Sequence, residues 1–318
     1  MPNDAIHVDH LRHVYGTRVA LDDVSFRVTR GEIFGLLGPN GGGKTTLFKI
    51  LSTLMPATGG TATVFGDALQ LAPAAVRRHL GVVFQHPSLD DMLTVHENLT
   101  CHGYLYGLHG TRLRQRTATV LQRLGLAERA GERVAALSGG LRRRTELAKA
   151  LLHEPPVLLL DEPSTGLDPG ARRAFIQYLR ELRDRDGVTI VLTTHYMDEA
   201  ERCDRVAILH QGKLVSVATP AELKDRVGGD IVVIQTPEPE RMRENIRQRF
   251  ACEAAVVDGT VRVERPRGHE FVRDVVDAFP SEVTLVTYGK PTLEDVFIHL
   301  TGHRFWGDGG ASDAEASA

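Results

Sequence analysis

A glycine-rich turn between a predicted strand and a predicted helix constrains the fold more than any other feature of the sequence. Residues 38–46 read GPNGGGKTT, with four glycines in nine positions. The preceding run IFGLL has the length and the continuous apolar character of a buried strand. The residues TTLFKILSTLM have helical spacing and end before Pro56. This strand–turn–helix unit predicts an α/β fold built around a parallel sheet.

The spacing of the glycines predicts a phosphate-binding loop. Four residues separate Gly38 from Gly43, and Lys44 and Thr45 follow at once, which is the pattern of such loops. Glycines let consecutive backbone N–H groups turn towards phosphate oxygens, and the start of the next helix adds further donors. A flexible glycine turn that happens to precede Lys-Thr is the alternative. We expect a bound nucleotide to contact Gly38, Pro39, Asn40, Gly41, Gly42, Gly43, Lys44, Thr45 and Thr46.

Three side chains at the start of the predicted helix have the chemistry that a triphosphate requires. Lys44 is expected to reach the β- and γ-phosphates, and the Thr45 hydroxyl to ligate Mg²⁺. The Thr46 hydroxyl is expected to donate to an α-phosphate oxygen. The sequence therefore predicts a magnesium-dependent nucleotide site.

Two adjacent carboxylates end a second buried run, LLLDE. Ligands of an open parallel sheet bind outside the carboxyl ends of its strands, where the glycine loop is also expected. Asp161 is therefore predicted to hold Mg²⁺, directly or through water, and Glu162 to take a proton from a water that attacks the γ-phosphate. The alternative is that the pair simply caps a strand before Pro163.

The other patterns within residues 1–227 predict that these residues form one domain with the glycine loop. The opening residues alternate apolar and polar side chains, which is typical of antiparallel strands. The runs LGVVFQ, VLLLDEP and VTIVLTTH read as short buried strands of a parallel sheet covered on both faces by helices. Residues 93–136 read mostly helical, so we expect an α-helical insert at about 87–150.

The sequence changes in character after Gly228 and Gly229. Its predicted order there is βαββαβ followed by a closing helix, which indicates a small α+β domain of the ferredoxin-like type over residues 228–303. A hairpin within it is expected to turn at Asp258 and Gly259. The stretch GDGGASDAEASA that ends the sequence is small, polar and acidic, and we expect a disordered tail at residues 304–318.

Composition disfavours several functional classes. The 318 residues carry a net charge of −3, so no global basic field favours nucleic acid as a partner. The three cysteines (Cys101, Cys203 and Cys252) lack metal-ligand spacing and favour a reducing compartment. No apolar run approaches the ~18–20 residues of a membrane-spanning helix, and the N-terminus lacks the apolar stretch of a signal peptide. We therefore expect another chain to supply any membrane part.

Further motifs accompany the phosphate loop in a characteristic order. They are Gln85 at the end of LGVVFQ, LSGG at 137–140, STGLD at 164–168 and His195 at the end of VTIVLTTH. Together with Tyr15, they resemble the ATP-binding subunit of an ABC (ATP-binding cassette) transporter over roughly residues 5–220. The resemblance implies a P-loop NTPase with a RecA-like parallel-sheet core, an N-terminal antiparallel β subdomain and the α-helical insert. It also implies ATP hydrolysis, with ATP and Mg²⁺ bound.

The resemblance assigns roles to the motif residues. It implies that Tyr15 stacks on adenine, that Gln85 contacts Mg²⁺ and the attacking water, and that His195 hydrogen-bonds the γ-phosphate. The expected catalytic residues are Glu162, His195, Gln85 and Lys44, and the expected metal ligands are Thr45, Gln85 and Asp161.

A single phosphate loop and a single signature in the chain imply that two chains work together. In the family, each ATP lies between the phosphate loop of one subunit and the signature of the other, here Ser138, Gly139 and Gly140, and Asp168 crosses the contact. We expect a second ATP-binding subunit, with a homodimer as the leading arrangement, and a separate transmembrane permease onto which the insert docks. The chain would then be peripheral, at the cytoplasmic face of the cell membrane, with no nucleic acid expected.

The C-terminal residues indicate which subfamily the chain resembles. PTLEDVFIHLTG resembles the end of the daunorubicin exporter ATPases and their relatives, so the leading function is ATP-driven export of a drug-like or lipid-like substrate. Leu141 replaces the usual glutamine of the signature, and Gly166 replaces a commoner alanine. We expect hydrolysis to survive both departures. The alternatives are a soluble ABC-type ATPase that acts on ribosomes or DNA, and a module that binds ATP without turnover.

Other clusters have simpler interpretations. His96 and His102 flank Cys101, and His299 and His303 lie four residues apart, but neither set has supporting ligands, which favours solvated helix faces. The run Arg142–Arg144 is interpreted as a solvated or phosphate-facing turn of the signature helix.

Overall fold

The computed structural model of the protein describes residues 3–302. The chain divides into two compact units between Val217 and Ala218. The predicted disordered tail at 304–318 lies outside the described residues, as does His303. Among residues 3–302, no helix combines the length and the apolar composition that crossing a membrane requires.

The first unit contains two β-sheets and the helices that cover them. Its strands are β1 (Asp4–Tyr15), β2 (Arg18–Thr29), β3 (Ile33–Leu37), β4 (Gly59–Val64), β5 (Asp67–Ala68), β6 (Leu80–Val83), β7 (Val157–Asp161), β8 (Thr189–Thr194), β9 (Arg205–His210) and β10 (Lys213–Ala218). Its α-helices are α1 (Lys44–Leu51), α2 (Pro73–His79), α3 (Val95–Leu105), α4 (Gly110–Arg123), α5 (Gly139–Leu151), α6 (Pro169–Asp186) and α7 (Met197–Ala200).

An antiparallel sheet forms the N-terminal part of this unit, in the strand order β2-β1-β4-β5. Apolar side chains of β1 and β2, such as Ile6 and Leu21, are buried in one cluster with Leu47 and Phe48 of α1. The alternation of buried and exposed residues along these strands reflects one face on the core and one in solvent. The predicted antiparallel β subdomain is confirmed.

The second sheet is the parallel core, in the strand order β10-β9-β3-β8-β7-β6. The pairs β9–β3, β3–β8, β8–β7 and β7–β6 are parallel. Every residue of β3, β7 and β8 is buried, as expected for a sheet with helices on both faces. Leu37 is in register with Thr194, and Asp161 with Thr193. The segments that follow β3, β7 and β8 therefore leave the sheet at the same edge.

The predicted α-helical insert lies between β6 and β7 and comprises α3, α4 and α5, which pack on one another. Helix α3 begins with a capping box. Thr94 Oγ1 accepts from the Glu97 N–H at 3.1 Å, and Glu97 Oε2 accepts from the Thr94 N–H at 2.8 Å.

The second unit has the predicted ferredoxin-like architecture. Its elements are α8 (Pro220–Asp225), β11 (Asp230–Gln235), α9 (Pro239–Phe250), β12 (Ala255–Val257), β13 (Thr260–Arg265), α10 (Gly268–Ala278), β14 (Leu285–Gly289) and α11 (Leu293–Thr301). The sheet is antiparallel, in the order β12-β13-β11-β14. Asp258 and Gly259 turn the β12–β13 hairpin with φ of 47° and 71°, as a type I′ turn requires.

The division between the units lies earlier than the boundary that the sequence predicts after residue 227. Helix α8 packs against α11, so the residues that carry it belong to the second unit. The change in sequence character at Gly228 marks the start of the sheet, whereas the compact unit begins one helix before it.

Candidate active site

A cavity of about 570 Å³ opens where the segments after β3 and β7 leave the parallel sheet. It brings the glycine loop together with Tyr15, Gln85 and Glu162, which are far apart in the sequence. The full lining is Tyr15, Arg18, Val19, Ala20, Asn40, Gly41, Gly43, Lys44, Thr45, Thr46, Gln85, Glu162, Gln211 and Gly212.

Two glycines of the loop occupy positions that tolerate no side chain. Gly43 has a φ of 104°, and a Cβ there would lie 2.9 Å from both the Ala20 carbonyl oxygen and Leu21 Cδ2. A Cβ at Gly38 would lie 2.3 Å from the Leu209 carbonyl oxygen. The loop backbone therefore packs directly against neighbouring backbone.

Helix α1 starts at the end of this loop. Its N-cap is Gly43, which offers no side-chain acceptor to the first N–H groups. Unpaired N–H groups and the positive end of the helix dipole favour an anion at this position. Thr45 is exposed and Thr46 partly exposed on the first turn, facing the cavity. This arrangement suits phosphate binding.

The Lys44 ammonium is buried between the loop and a carboxylate. Its Nζ donates to the carbonyl oxygens of Gly38 at 2.7 Å and Pro39 at 3.0 Å, and lies 3.7 Å from Glu162 Oε1. Burial lowers the pKa of Lys44, while the charges of Glu162 and Asp161 act to raise it. A single cation thus links the loop to the acidic pair.

The Glu162 carboxylate is contacted from several segments. Its Oε2 lies 3.1 Å from His195 Nδ1 and accepts from Gln85 Nε2 at 3.3 Å and Thr165 Oγ1 at 3.4 Å. Burial acts to raise the pKa of Glu162, but His195 and Lys44 outweigh burial and hold the pKa below its usual value. The carboxylate is therefore ionised at neutral pH, which is the form that accepts a proton.

A hydroxyl on the neighbouring strand fixes the acidic pair. Glu162 has a φ of 44°, and its N–H donates to Thr193 Oγ1 at 2.9 Å. The same hydroxyl donates to Asp161 Oδ1 at 2.6 Å. Because Thr193 pairs with Asp161 across β7 and β8, the sheet register positions both carboxylates.

The residues predicted to bind Mg²⁺ offer oxygen ligands. Asp161 is buried, and burial raises its pKa, with a smaller opposing effect from the Thr193 hydrogen bond. The described residues contain no cluster of three His, Cys, Asp or Glu side chains that could hold a metal. Mg²⁺ would rest on oxygens of Asp161, Thr45 and Gln85 together with phosphate oxygens, a set that suits this hard cation.

The signature residues lie away from this cavity. Ser138, Gly139, Gly140 and Asp168 line a second cavity of about 890 Å³, to which Lys44 does not contribute. Ser138 Oγ caps α5 by accepting from the Leu141 N–H at 3.4 Å, and Asp168 Oδ1 caps α6 by accepting from two N–H groups at 2.9 Å. Within one chain, the two predicted halves of the nucleotide site are therefore separate.

The structure also shows residues that the sequence did not single out. Gln211 and Gly212 line the first cavity, and the Gly212 N–H donates to the Gly42 carbonyl at 3.1 Å. The interpretation of Arg142–Arg144 as a solvated or phosphate-facing turn is wrong for Arg143, which is buried and donates to carbonyl oxygens of the acidic pair and of Pro163. No local pattern distinguishes it from its two neighbours.

Comparisons with known proteins agree with this geometry. A family model described as "ABC transporter" matches residues 21–165. The chain is 37% identical over 311 residues to a Nod factor export ATP-binding protein of Paraburkholderia xenovorans, covering 95% of this chain and 98% of that protein. It is 38% identical to a daunorubicin resistance ATP-binding protein of Streptomyces coeruleorubidus, covering 96% and 97%.

Solved structures agree on the fold. A structure described as the ATP-binding subunit of an ABC transporter is 33% identical, with a TM-score of 0.64 over 70% of this chain and 93% of that chain. A dimeric ATP-binding cassette in a post-hydrolysis state with ADP and Pi is 27% identical, with a TM-score of 0.62 over 67% and 98%. These matches confirm the P-loop NTPase fold and the resemblance to the daunorubicin-resistance subfamily. The chain therefore belongs to the ATP-binding subunits of ABC transporters, and it is an ATP hydrolase.

Proposed function

We propose that this chain powers export of a drug-like or lipid-like substrate through a separate permease chain, as one of two identical ATP-binding subunits. The observation that carries the enzymatic part is the Glu162 carboxylate, which lies within 3.7 Å of Lys44, 3.3 Å of Gln85 and 3.1 Å of His195. The names of the two relatives, which refer to Nod factor export and to daunorubicin resistance, support the export part.

In the proposed mechanism, Glu162 takes a proton from water as the water attacks the γ-phosphorus of ATP. Lys44 and the N–H groups at the start of α1 stabilise the charge that develops on the phosphate oxygens. His195 donates to the γ-phosphate, and Gln85 orients the water. Mg²⁺, bound through Thr45, Gln85 and Asp161, would neutralise phosphate charge. A general base contributes ~10²–10⁴-fold, so most of the acceleration must come from positioning and charge.

The separate signature cavity supports a site that two chains share. Ser138 to Gly140 stand at the N-terminus of the 13-residue helix α5, a second position that favours an anion. Since these residues line a different cavity from Lys44, the ATP bound by one chain would be covered by the signature of the other. Tyr15, which is 47% exposed, is proposed to stack on the adenine.

The insert supports a membrane partner. Met92, Tyr104 and Leu105 are large apolar side chains that are 70%, 55% and 82% exposed. They lie between the Gln85 segment and the end of α3, so a permease docked there would be linked through the chain to the nucleotide site. The chain would then work at the cytoplasmic face of the cell membrane. The alternative action on ribosomes or DNA has no support among the named relatives.

The test is ATP hydrolysis by the wild type and by Glu162→Gln, with size measured in the presence of ATP and Mg²⁺. We expect the variant to bind ATP, to lose turnover and to accumulate as an ATP-bound dimer. Glu240→Gln, an exposed glutamate on α9, is the matched control and should behave as the wild type. Full turnover by Glu162→Gln would exclude Glu162 as the base. Omission of Mg²⁺ should abolish hydrolysis.

A further inference from the structure

One arginine of the signature helix is buried, whereas its neighbours are not. Arg143 is 9% exposed on the second turn of α5. Arg142, whose side chain is 28% exposed, instead pairs with Asp91, with Nη2 2.9 Å from Oδ1. A buried guanidinium has to satisfy its N–H donors inside the protein, and the partners of Arg143 are therefore informative.

Three of those partners are consecutive carbonyl groups at the end of β7. Arg143 Nε donates to the Pro163 oxygen at 2.6 Å, and Nη2 donates to the oxygens of Asp161 at 3.1 Å and Glu162 at 3.4 Å. The peptide on either side of Glu162 is thus held by one rigid group. The Glu162 residue itself has a left-handed φ of 44°, a conformation that persists only where the surroundings enforce it.

The fourth carbonyl belongs to Phe84, the residue before Gln85. Arg143 Nη1 donates to the Phe84 oxygen at 2.7 Å and to Glu146 Oε2 at 3.1 Å. The Phe84 oxygen and the Gln85 N–H share one peptide bond. Arg143 therefore holds the backbone of Gln85 and the backbone of Glu162, and the side chains of these two residues hydrogen-bond each other.

The same helix also holds the far side of the Gln85 segment. Glu146 Oε1 accepts from the Ser88 N–H at 2.5 Å and from its hydroxyl at 3.1 Å. Lys149 Nζ donates to the Ser88 carbonyl at 2.7 Å. Arg143, Glu146 and Lys149 recur every three residues along α5, so one face of the signature helix binds the segment 84–88 at both ends.

We propose that Arg143 is a positioning residue of the ATPase site, which holds Gln85 and Glu162 in their working geometry and couples both to the signature helix. The proposal rests on the proposed roles of Glu162 and Gln85. When the N-terminus of α5 binds the ATP of the other subunit, a movement of α5 would then shift Glu162 and Gln85 together. A purely structural ion pair with Glu146 is the competing explanation.

The test uses Arg143→Lys, which keeps the positive charge beside Glu146 but loses the planar fork that spans four carbonyls. Arg142→Lys is the matched control, because Arg142 is the adjacent arginine of α5, is partly exposed and pairs with Asp91. Single-turnover hydrolysis, the dissociation constant of ATP and the thermal midpoint are measured. We expect the hydrolysis rate of Arg143→Lys to fall ~10–100-fold, as small displacements of catalytic groups do, with ATP affinity unchanged. An unchanged rate, or parallel losses in rate, affinity and midpoint, would overturn the proposal.

A double variant separates this proposal from the role of Glu162. If Arg143 acts through Glu162, adding Arg143→Lys to Glu162→Gln should slow hydrolysis little further, whereas independent, multiplying losses would contradict the proposal. Should Glu162→Gln turn over normally, the role of Glu162 is wrong, and the Arg143→Lys rate then decides only whether Arg143 positions Gln85. Should Arg143→Lys not fold, Ser88→Ala removes the hydroxyl that bonds Glu146 and Lys149 at the other end of the segment 84–88. A fall in rate of about 3–10-fold supports the coupling of this segment to α5, and an unchanged rate overturns it.

Discussion

His195 Nδ1 lies 3.1 Å from Glu162 Oε2, although the two residues follow different strands. The contact exists because β7 and β8 are parallel neighbours with Asp161 opposite Thr193, so the residues just past each strand meet. The imidazole and the carboxylate therefore orient each other. The group proposed to bind the γ-phosphate is also the group that holds the proposed base.

Replacing His195 with alanine should impair chemistry more than binding. The variant loses the proposed donor to the γ-phosphate and one partner of Glu162, and we expect kcat to fall about 10²-fold. The affinity for ATP should change little, because Lys44 and the glycine loop remain. Steady-state hydrolysis and nucleotide titration measure both quantities. His109→Ala, at an exposed position outside the cavity, is the control, and an equal loss of affinity and kcat in His195→Ala would argue against this role.

Gly43→Ala should disturb the phosphate loop. The backbone at φ 104° and the two contacts at 2.9 Å leave no room for a methyl group, and backbone strain alone costs about 1–3 kcal/mol. We expect a lower unfolding midpoint and a loss of ATP binding. Gly131→Ala is the control, since a Cβ there meets nothing within 4 Å and the φ is ordinary. Normal ATP affinity in Gly43→Ala would show that the loop adapts.

Local patterns in the sequence were sufficient for the elements and motifs. The strand–glycine–helix unit, the hairpin at Asp258–Gly259 and the carboxylates after β7 each depend on a few consecutive residues, so their chemistry is visible without a fold. The ferredoxin-like unit was likewise predictable from element order. The start of that unit was not, because α8 belongs to it only through packing against α11.

The features that could not be predicted from the sequence depend on contacts between distant segments. Arg143 has the same local surroundings as Arg142, and only the positions of β6 and β7 decide which arginine is buried. The sequence around Thr193 reads as an ordinary buried strand, and only the sheet register places this threonine beside Asp161. Gln211 lines the cavity because the β9–β10 turn touches the glycine loop.

Glu199 is a buried carboxyl beside the site, at 1% exposure. Thr194 Oγ1 hydrogen-bonds its Oε2 at 2.6 Å, and the Ser164 hydroxyl hydrogen-bonds its Oε1. Burial raises the pKa of Glu199 from 4.5 to about 7, with a smaller contribution from Asp198, against the opposing effects of Thr194, Arg172 and His195. Glu199 thus joins the segment after β7 to the end of β8 through a group that titrates near neutrality.

Stability should therefore fall as pH rises. Because the folded-state pKa lies above the unfolded value, the folded state binds more protons, and the stabilisation present below pH 4.5 is lost by about pH 7. The shift corresponds to at most about 3 kcal/mol. Glu199→Gln should lack this component, so the difference in denaturant midpoint between variant and wild type should change across that range. Glu240→Gln should follow the wild type, and parallel curves for Glu199→Gln and the wild type would contradict the assignment.

Mixed dimers should reveal whether the nucleotide site is shared. Lys44→Ala damages the phosphate loop, and Ser138→Arg fills the start of α5, which lies in the other cavity. Each variant alone should be inactive, because both sites of its homodimer carry one damaged half. A mixed dimer has one site with two damaged halves and one intact site.

Equal mixing of the two inactive variants should thus restore about a quarter of wild-type hydrolysis, because half the dimers are mixed and each has one working site. Mixing Lys44→Ala with the double variant Lys44→Ala/Ser138→Arg is the control, since no phosphate loop is intact in that pair. ATPase activity is measured after the subunits have exchanged. If ATPase activity returns in the first mixture and not in the control, the site is shared by two chains. If no activity returns although subunit exchange is demonstrated, the loop and the signature act within the same chain, and the main support for the dimer is removed.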